Sequence, residues 1–318
     1  KQVDIVALGE LLIDFTEAGQ SKDGRRLFEQ NPGGAPANLL AAAAKFGRKT
    51  AFIGKVGKDM HGDFLKETLI RAGINTDNLI QDEKYFTTLA FVSLKENGER
   101  EFAFARKPGA DTNLCMKEID PEILENTRVF HVGSLSLTDD PSRTATYEAI
   151  NIARNSGAVI SYDPNYRAAL WSDPETAQLR MQSLIPYVDM MKISDEETSL
   201  LTPYQDPEEA IQYLLRQGVH LVAVTLGRDG ALIGNENGIV KAEGFSSHAV
   251  DTTGAGDSFW GGFLASYLQE ETSPEHLTRA QMIQFGRVGN AVASLCVERR
   301  GGISAIPEME EIEERLRG

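Results

Sequence analysis

The chain has 318 residues, of which 41% are hydrophobic and 25% charged, so it can bury a large core in one or two domains. Its net charge of −15, without a basic stripe, excludes nucleic acid as a partner. No apolar run approaches the ~20 residues of a membrane span, and the two cysteines, Cys115 and Cys296, form no CxxC pair or metal-ligand spacing. We therefore expect a soluble, unprocessed protein of the reducing cytoplasm, with no disulfide framework, zinc site or membrane association.

Short β-branched runs alternate with amphipathic helical patterns along the chain. Buried strands are predicted at residues 3–8, 50–56, 129–132, 158–162, 190–193 and 221–225. Helices are predicted at residues 36–46, 62–72, 144–155, 175–185, 207–217 and 257–268. The acidic tail, residues 308–317, predicts a further helix that docks through Ile312 and Leu316. This alternation predicts an α/β sandwich around a mostly parallel sheet.

In two segments, apolar and polar residues alternate with period two, and these segments interrupt the pattern of strands and helices. They pair residues 11–16 with 25–29, and residues 87–94 with 99–105. Residues 96–99 read Glu-Asn-Gly-Glu, and Asn-Gly favours a tight hairpin turn. We predict a small antiparallel sheet inserted into the α/β body. Because a few strands bury little by themselves, this sheet should cover an active-site cleft, a second subunit, or both.

The run DTTGAGD, residues 251–257, leads directly into an apolar-faced helix. The residues Gly254, Ala255 and Gly256 would present unpaired N–H groups with little side-chain bulk, which makes a helix N-terminus an anion hole. In the first turn, Asp257 could take a hydroxyl proton while the hole stabilises charge on a transferring phosphoryl group. The alternative is that Asp257 complements the helix dipole and the glycines turn the chain.

A second glycine motif opens the first helix. Gly33 and Gly34 allow a small molecule to approach the backbone, and Asn38 on the first turn can donate and accept toward hydroxyl groups. Just past the first strand, Asp14 supplies a carboxylate that can accept two hydroxyl hydrogen bonds. These residues predict a polyol site, although Asp14 could instead be a solvent-facing strand charge.

Further polar residues follow other strands, at the edge of the sheet where α/β folds bind ligands. Thr225 and Gly227 could hold nucleotide phosphates, or form a turn without a ligand. The run at 163–167, Asp-Pro-Asn-Tyr-Arg, is either part of the site or a Pro-containing turn. Carboxylates in the run 192–197 could hold Mg²⁺ through water or serve as charges at a helix N-terminus. The segment 106–111 leaves the inserted sheet and could reach a substrate.

Three ordered motifs, DTTGAGDSFWGG, GGAPAN and GKVGKDMHGDF (54–64), make the chain similar to the ribokinase-like carbohydrate kinase family over nearly its whole length. The runs at 163–171, 192–197 and 106–111 most resemble fructokinases within it. The resemblance implies a Rossmann-like three-layer sandwich, with residues 1–10, 32–85 and 112–318 forming the body and residues 11–31 and 86–111 a β-sheet lid. It also implies a homodimer through the lid, and ATP- and Mg²⁺-dependent phosphorylation of a sugar's terminal hydroxyl, giving fructose 6-phosphate from D-fructose.

The resemblance also implies a role for each matching position. The base would be Asp257, and the anion hole Gly254, Ala255 and Gly256. The sugar would face Asp14, Gly33, Gly34, Asn38, Arg106, Asn165 and Arg167. The nucleotide would face Lys192, Ser194, Thr225, Gly227, Gly230 and Asn290. Glu197 would hold Mg²⁺ through water, and K⁺ would bind backbone carbonyls among Asp251, Thr253, Cys296, Arg299 and Gly301.

The sequence departs from the family pattern at two positions. Ser194 replaces the Asn of the usual Asn-x-x-Glu motif, and Ser134 lies where ribokinases carry an acidic sugar contact, which favours a hexose over ribose. One alternative is a 2-keto-3-deoxygluconate kinase, with Arg106 and Arg167 facing the substrate carboxylate. A dinucleotide oxidoreductase would require Gly-x-Gly-x-x-Gly after the first strand, where this chain has Gly-Glu-Leu. A non-catalytic sugar-binding module would not need Asp257.

Overall fold

The computed structural model describes residues 1–94 and 100–318. The strands in these residues, in chain order, are β1 (Val3–Leu8), β2 (Leu12–Gln20), β3 (Arg26–Gly33), β4 (Thr50–Gly57), β5 (Ile74–Asp82), β6 (Leu89–Leu94), β7 (Arg100–Ala105), β8 (Thr127–Val132), β9 (Val159–Tyr162), β10 (Met190–Ser194), β11 (Leu221–Thr225), β12 (Ala231–Asn235) and β13 (Gly238–Ala242). They form a nine-stranded sheet and a four-stranded sheet.

The nine-stranded sheet runs in the order β13-β12-β11-β10-β9-β8-β1-β4-β5. All its neighbouring pairs are parallel except β11 with β12 and β12 with β13. The six predicted strands all lie in it, with small shifts at their ends. The mostly parallel α/β sandwich predicted from the sequence is therefore confirmed. The antiparallel strands β12 and β13 extend the sheet beyond β11.

Helices cover both faces of this sheet and create two apolar cores. Those in the described residues are α1 (Ala35–Lys45), α2 (Met60–Arg71), α3 (Pro121–Glu125), α4 (Ser142–Asn155), α5 (Pro174–Ser183), α6 (Thr198–Leu201), α7 (Pro207–Arg216), α8 (Ala255–Tyr267), α9 (Arg279–Cys296) and α10 (Met309–Arg317). One core contains residues of α1, α2, α8, α9 and α10, and the other contains residues of α3 to α7. Along β1, Ile5 and Ala7 point into the first core while Val6 and Leu8 point into the second, as the period of a buried strand requires.

All six predicted helices are present, and so is the helix of the acidic tail, where Ile312 is buried and Leu316 packs against the core. None of the helices found in the described ranges is long and apolar enough to cross a membrane.

The four-stranded sheet, in the order β3-β2-β6-β7, is the lid. Its β2–β3 and β6–β7 pairs are antiparallel, but β2 and β6 pair in parallel, so the prediction of an antiparallel sheet is wrong for the central pair. Both strands start as the chain leaves the large sheet, after β1 and after β5, and they therefore run in the same direction. The predicted hairpin turn at 96–99 lies outside the described residues.

Candidate active site

The N-terminus of α8 faces a cleft at the carboxyl ends of the parallel strands. Gly254 precedes the helix with a left-handed φ of 76°, a conformation that glycine adopts without strain. Gly256 and Asp257 occupy the first turn, where backbone N–H groups have no preceding helical carbonyl to bind. Together with the helix dipole, these groups form a site for an anion.

Asp257 lies at this N-terminus and is 9% exposed. The side-chain amide of Asn38 in α1 donates a hydrogen bond of 2.9 Å to its Oδ2. Burial and the nearby carboxylate of Asp163 raise the pKa of Asp257 to about 6, against the lowering effects of Asn38, Lys192 and Arg167. The carboxylate is therefore ionised near neutral pH and more basic than an ordinary aspartate, which suits a group that removes a proton.

A buried ion pair lies beside this carboxylate. Lys192 Nζ in β10 contacts Oδ2 of Asp163, which follows β9, at 3.0 Å, and both side chains are almost fully buried. Burial opposes the charge on Lys192, but the carboxylates of Asp163, Glu197 and Asp257 outweigh it and raise the pKa of its ammonium group. A Cβ added to Gly256 would lie 2.5 Å from Lys192 Nζ. A fixed positive charge thus lies against the helix N-terminus.

The cleft above these groups has a volume of about 780 Å³ and continues into a smaller pocket of about 130 Å³. One face of the lid covers both, through Asp14 of β2 and Phe102 of β7. Gly33, Gly34, Asn38, Asn165 and Arg167 line the smaller pocket, and Asp257 lines both. The geometry thus gathers most of the residues predicted to face a sugar around the Asp257 carboxylate.

Two further carboxyl groups line the smaller pocket. Burial, with a contribution from Asp251, raises the pKa of Asp14 to about 6 against the effect of Arg167. A Cβ on Gly33 would lie 2.3 Å from Oδ2 of Asp14, so glycine here leaves room for the carboxylate in its present position. Glu10, after β1, accepts a hydrogen bond of 3.0 Å from the Ala35 N–H at the start of α1, and burial raises its pKa to about 7.

Four of the residues predicted to face a nucleotide, Lys192, Ser194, Thr225 and Gly227, line the larger cleft. The other two are not among its lining residues in the described structure. Gly230 is needed where the chain turns, because a Cβ there would collide with the Ala242 carbonyl at its φ of 96°. Asn290 in α9 donates to the carbonyls of Ala242 and Glu243, both at 3.0 Å, and so fixes the end of β13.

Arg106 is likewise absent from the lining of either cavity in the described residues. Its guanidinium forms a buried ion pair with Asp111 at 2.9 Å and donates to Thr138 Oγ1 and to the carbonyl of Leu135. Thr88 donates a 2.5 Å hydrogen bond to the other oxygen of Asp111. This network joins the end of β7 to the body, and it leaves the Arg106 guanidinium engaged with protein groups.

The cleft offers a metal ion oxygen ligands. Both carboxylate oxygens of Glu197, at the cleft wall, accept backbone N–H groups, from Tyr166 at 2.8 Å and Ser194 at 2.9 Å. In the described part of the chain, no three His, Cys, Asp or Glu side chains converge as direct metal ligands. These donors fit a Mg²⁺ ion held through water and substrate phosphates.

The predicted monovalent-cation residues come from the loop before α8 and from the end of α9 with the loop that follows it, which meet beside the anion hole. Asp251 accepts from the N–H groups of Thr253 and Gly301, each at 2.9 Å, and so ties the loops together. The buried Cys296 thiol lies 3.8 Å from the Thr253 carbonyl, and burial raises its pKa to about 11. Arg299 donates its backbone N–H to the Cys296 carbonyl. The thiol therefore stays neutral, and the donors available to a cation here are carbonyl oxygens.

Sequence reasoning did not assign site roles to Asp163 and Glu10. Asp163 directly follows β9, and Glu10 lies two residues after the end of β1. A carboxylate just past a buried parallel strand is a signal that could have identified both.

Residues 2–309 match the model of the pfkB family carbohydrate kinases. A probable fructokinase-4 from Arabidopsis thaliana is 37% identical over 99% of this chain and 97% of its own length. A fructokinase from Xylella fastidiosa with bound ATP is similar in structure, with a TM-score of 0.90, 31% identity and coverage of 99% of this chain and 98% of that one. A Vibrio cholerae O395 fructokinase bound to fructose, ADP and calcium gives a TM-score of 0.88, 32% identity and coverage of 99% and 100%. A double mutant of the Vibrio protein was solved with fructose, ADP and potassium.

Proposed function

Because the chain belongs to the pfkB family of carbohydrate kinases, we propose that it transfers the γ-phosphoryl group of ATP to the terminal hydroxyl of D-fructose, giving fructose 6-phosphate. The observation that carries the proposal is the buried, Asn38-bonded Asp257 carboxylate at the N-terminus of α8, beneath a lid-covered pocket. That the chain is a sugar kinase follows from its family; the choice of fructose is supported by the fructokinases it is similar to.

The chemistry begins with the sugar in the smaller pocket. Asp14 accepts hydrogen bonds from its hydroxyl groups, and Asn165 and Arg167 close the pocket from the loop after β9. The terminal hydroxyl points at Asp257, which takes its proton as the oxygen attacks phosphorus. The first-turn N–H groups of α8 and the Lys192 ammonium stabilise the charge that develops on the phosphoryl oxygens.

ATP lies in the larger cleft, with its phosphates toward α8. The part of the nucleotide farther from α8 lies along Ser194, Thr225 and Gly227. Mg²⁺, when bound, neutralises phosphate charge and orients the γ-phosphoryl group. Glu197 would hold it through water, since both of its oxygens are already fixed by backbone N–H groups.

K⁺ is the proposed occupant of the loops around Asp251, Thr253, Cys296, Arg299 and Gly301. The support is the meeting of these loops next to Gly254 and the potassium in the Vibrio cholerae structure. Such an ion would fix the shape of the anion hole without touching the substrate.

We also propose a homodimer formed through the outward face of the lid. Phe15 and Phe91 stack with ring centroids 5.2 Å apart, and Phe28 packs edge-on against Phe91 at 6.1 Å. Phe28 and Phe91 are each 37% exposed. A cluster of aromatic rings exposed on one face of a small sheet fits a second copy of the same face. The two free thiols, Cys115 and Cys296, support a cytoplasmic location.

The alternative, 2-keto-3-deoxygluconate kinase, requires cationic groups for the substrate carboxylate. Arg106 is engaged by Asp111, Thr138 and Leu135, so the exposed Arg167 is the one of the two proposed arginines that lines the smaller pocket. One arginine beside the carboxyl groups of Asp14 and Glu10 suits a neutral sugar better than an anionic one.

A coupled ADP-release assay with fructose, 2-keto-3-deoxygluconate, ribose and adenosine tests the substrate directly. We expect the highest kcat/KM with fructose and a product that phosphoglucose isomerase accepts, since that enzyme uses fructose 6-phosphate and not the 1-phosphate. A higher kcat/KM with 2-keto-3-deoxygluconate would replace fructose but keep the kinase assignment.

A further inference from the structure

A buried polar contact connects α8 to the large sheet, one helical turn beyond Asp257. The indole N–H of Trp260 donates a hydrogen bond of 2.8 Å to Oγ of Ser161 in β9. The same Oγ lies 2.8 Å from Nδ1 of His131 in β8. Ser161 and Trp260 are 0% exposed and His131 is 2% exposed. Three polar groups are thus enclosed in the core, where each needs its partner.

The positions of these residues relate the contact to the site. Trp260 follows Asp257 by three residues on α8, so the two side chains lie on the same side of the helix. Ser161 precedes Asp163 by two residues, so both leave the strand on the same face of the sheet. One side of the helix therefore meets one face of the sheet at two levels, with Trp260 on Ser161 and Asp257 near Asp163.

The register of the strands extends this arrangement across the sheet. Ser161 lies opposite His131 in β8 and opposite Met190 in β10. Lys192, two residues beyond Met190, is therefore level with Asp163, and the two form the 3.0 Å ion pair. His131, Ser161 and Met190 therefore form one row across the sheet. The Asp163–Lys192 pair lies in the next row on the same face, toward the carboxyl ends of the strands.

One arrangement of the hydrogen atoms pairs both the indole N–H and the Ser161 hydroxyl, and in it Nδ1 of His131 carries no hydrogen. Burial, together with the charge of Lys192, lowers the pKa of His131 to about 3, so its ring is neutral. Trp260 can only donate, so the Ser161 oxygen accepts from it and the Ser161 hydroxyl donates to Nδ1 of His131. The hydroxyl hydrogen thus points to His131, and a lone pair of the Ser161 oxygen faces the indole N–H.

We propose that Ser161 is a positioning residue for phosphoryl transfer: its bond to Trp260 sets the separation between the base Asp257 on α8 and the Asp163–Lys192 pair on the sheet. This proposal rests on the kinase function proposed above. On its other side, α8 is fixed against α1 by the Asn38–Asp257 hydrogen bond and by close packing, where a Cβ on Gly261 would lie 2.5 Å from the Leu39 carbonyl. On the side of the sheet, the Ser161 bond is the side-chain hydrogen bond that holds the first turns of the helix within residues 1–94 and 100–318.

The test compares Ser161→Ala, Trp260→Phe and the double variant, assayed well below their melting temperatures. Because the sugar and nucleotide walls remain, we expect kcat to fall about 10-fold or more in each single variant while both KM values change by less than about 2-fold. The double variant should lose no more than the more affected single variant, because both remove the same bond. Ser161→Thr, which keeps the hydroxyl, should recover most of kcat.

Ser266→Ala is the matched control, because Ser266 is a buried serine of α8 whose hydroxyl donates within the helix, to the Gly262 carbonyl at 3.0 Å. It should retain the parent kcat. An unchanged kcat in Ser161→Ala, an equal loss in Ser266→Ala, or losses that multiply in the double variant would each overturn the proposal. If Ser161→Ala does not fold, a comparison of the two single variants Trp260→Phe and Ser161→Thr decides the question: the first should lose kcat and the second should keep most of it. Failure of the kinase function would instead appear as a parent enzyme inactive on every sugar tested.

Discussion

Replacing Asn38 by alanine should move the pH dependence of kcat to higher pH. The Asn38 amide donates a 2.9 Å hydrogen bond to the Asp257 carboxylate and so favours its ionised form. A hydrogen bond to a charged group contributes about 1.5–3 kcal/mol, which corresponds to about 1–2 pKa units. Without this bond, the pKa of Asp257 should rise from about 6 to about 7–8. Water entering the space left by Asn38 would reduce the shift, so the lower end of that range is expected.

The sign follows from the role of the group. A base acts in its ionised form, so kcat rises with pH through the pKa of Asp257. At pH 7 about 90% of the parent carboxylate is ionised, against about 10–50% in Asn38→Ala. The assay measures kcat from pH 5 to 9 at saturating fructose and ATP, because Asp14, whose pKa is also about 6, would otherwise contribute through KM.

Asn235→Ala is the control for Asn38→Ala. Asn235 is an equally buried asparagine that donates to the carbonyls of Pro274 and Leu277, away from the cleft. It should keep the acidic limb of the parent profile near pH 6. A limb in Asn38→Ala that coincides with the parent limb, or lies at lower pH, would refute the assignment of that limb to Asp257.

Three further predictions concern the base, the cation and the lid. Asp257→Ala should lower kcat at least ~10²-fold while sugar affinity, measured by calorimetry, stays near the parent value; an unchanged turnover would remove Asp257 as the base. Replacing K⁺ with tetramethylammonium should reduce kcat, because the loops at Asp251 and Gly301 would lose the ion proposed to shape the anion hole; activity indifferent to the exchange would eliminate the site. Phe91→Asp should convert a dimer into a monomer in sedimentation velocity, since it places a charge in the exposed aromatic cluster, and a parent protein that sediments as a monomer would contradict the interface.

The body of the fold was predictable because its strands are continuous β-branched runs and most of its helices have apolar faces. The longest helix of the described chain, α9, was missed. Its sequence contains Gly286 and Gly289, which lower helix propensity. The structure explains them, because a Cβ on Gly289 would lie 2.7 Å from the Phe259 carbonyl and one on Gly286 2.4 Å from Ile233. Close packing of α9 required residues that local propensity disfavours.

The positions of the candidate site residues could be predicted where a motif fixes the backbone, and could not where a side chain had a choice of partner. The glycines of α8 and the Gly33-Gly34 turn bring Asp257, Asp14 and Asn38 together, as their motifs indicate. Arg106 binds Asp111 instead of facing the pocket. No pattern in the sequence specifies which acidic group a long cationic side chain will meet, so that contact had to come from the structure.

The acidic character of the chain, with its net charge of −15, is compatible with an anionic nucleotide because the charges in the cleft are arranged unevenly. Asp195, Glu196 and Glu197 lie on the wall of the cleft, where they can attract a divalent cation that accompanies ATP. Lys192 has its charge compensated by Asp163 and lies against Gly256, at the N-terminus of α8. Phosphate is therefore attracted by backbone N–H groups and one fixed ammonium. The same burial that excludes water from this point raises the pKa of Asp257, so the anion site and the strength of the base share one physical origin.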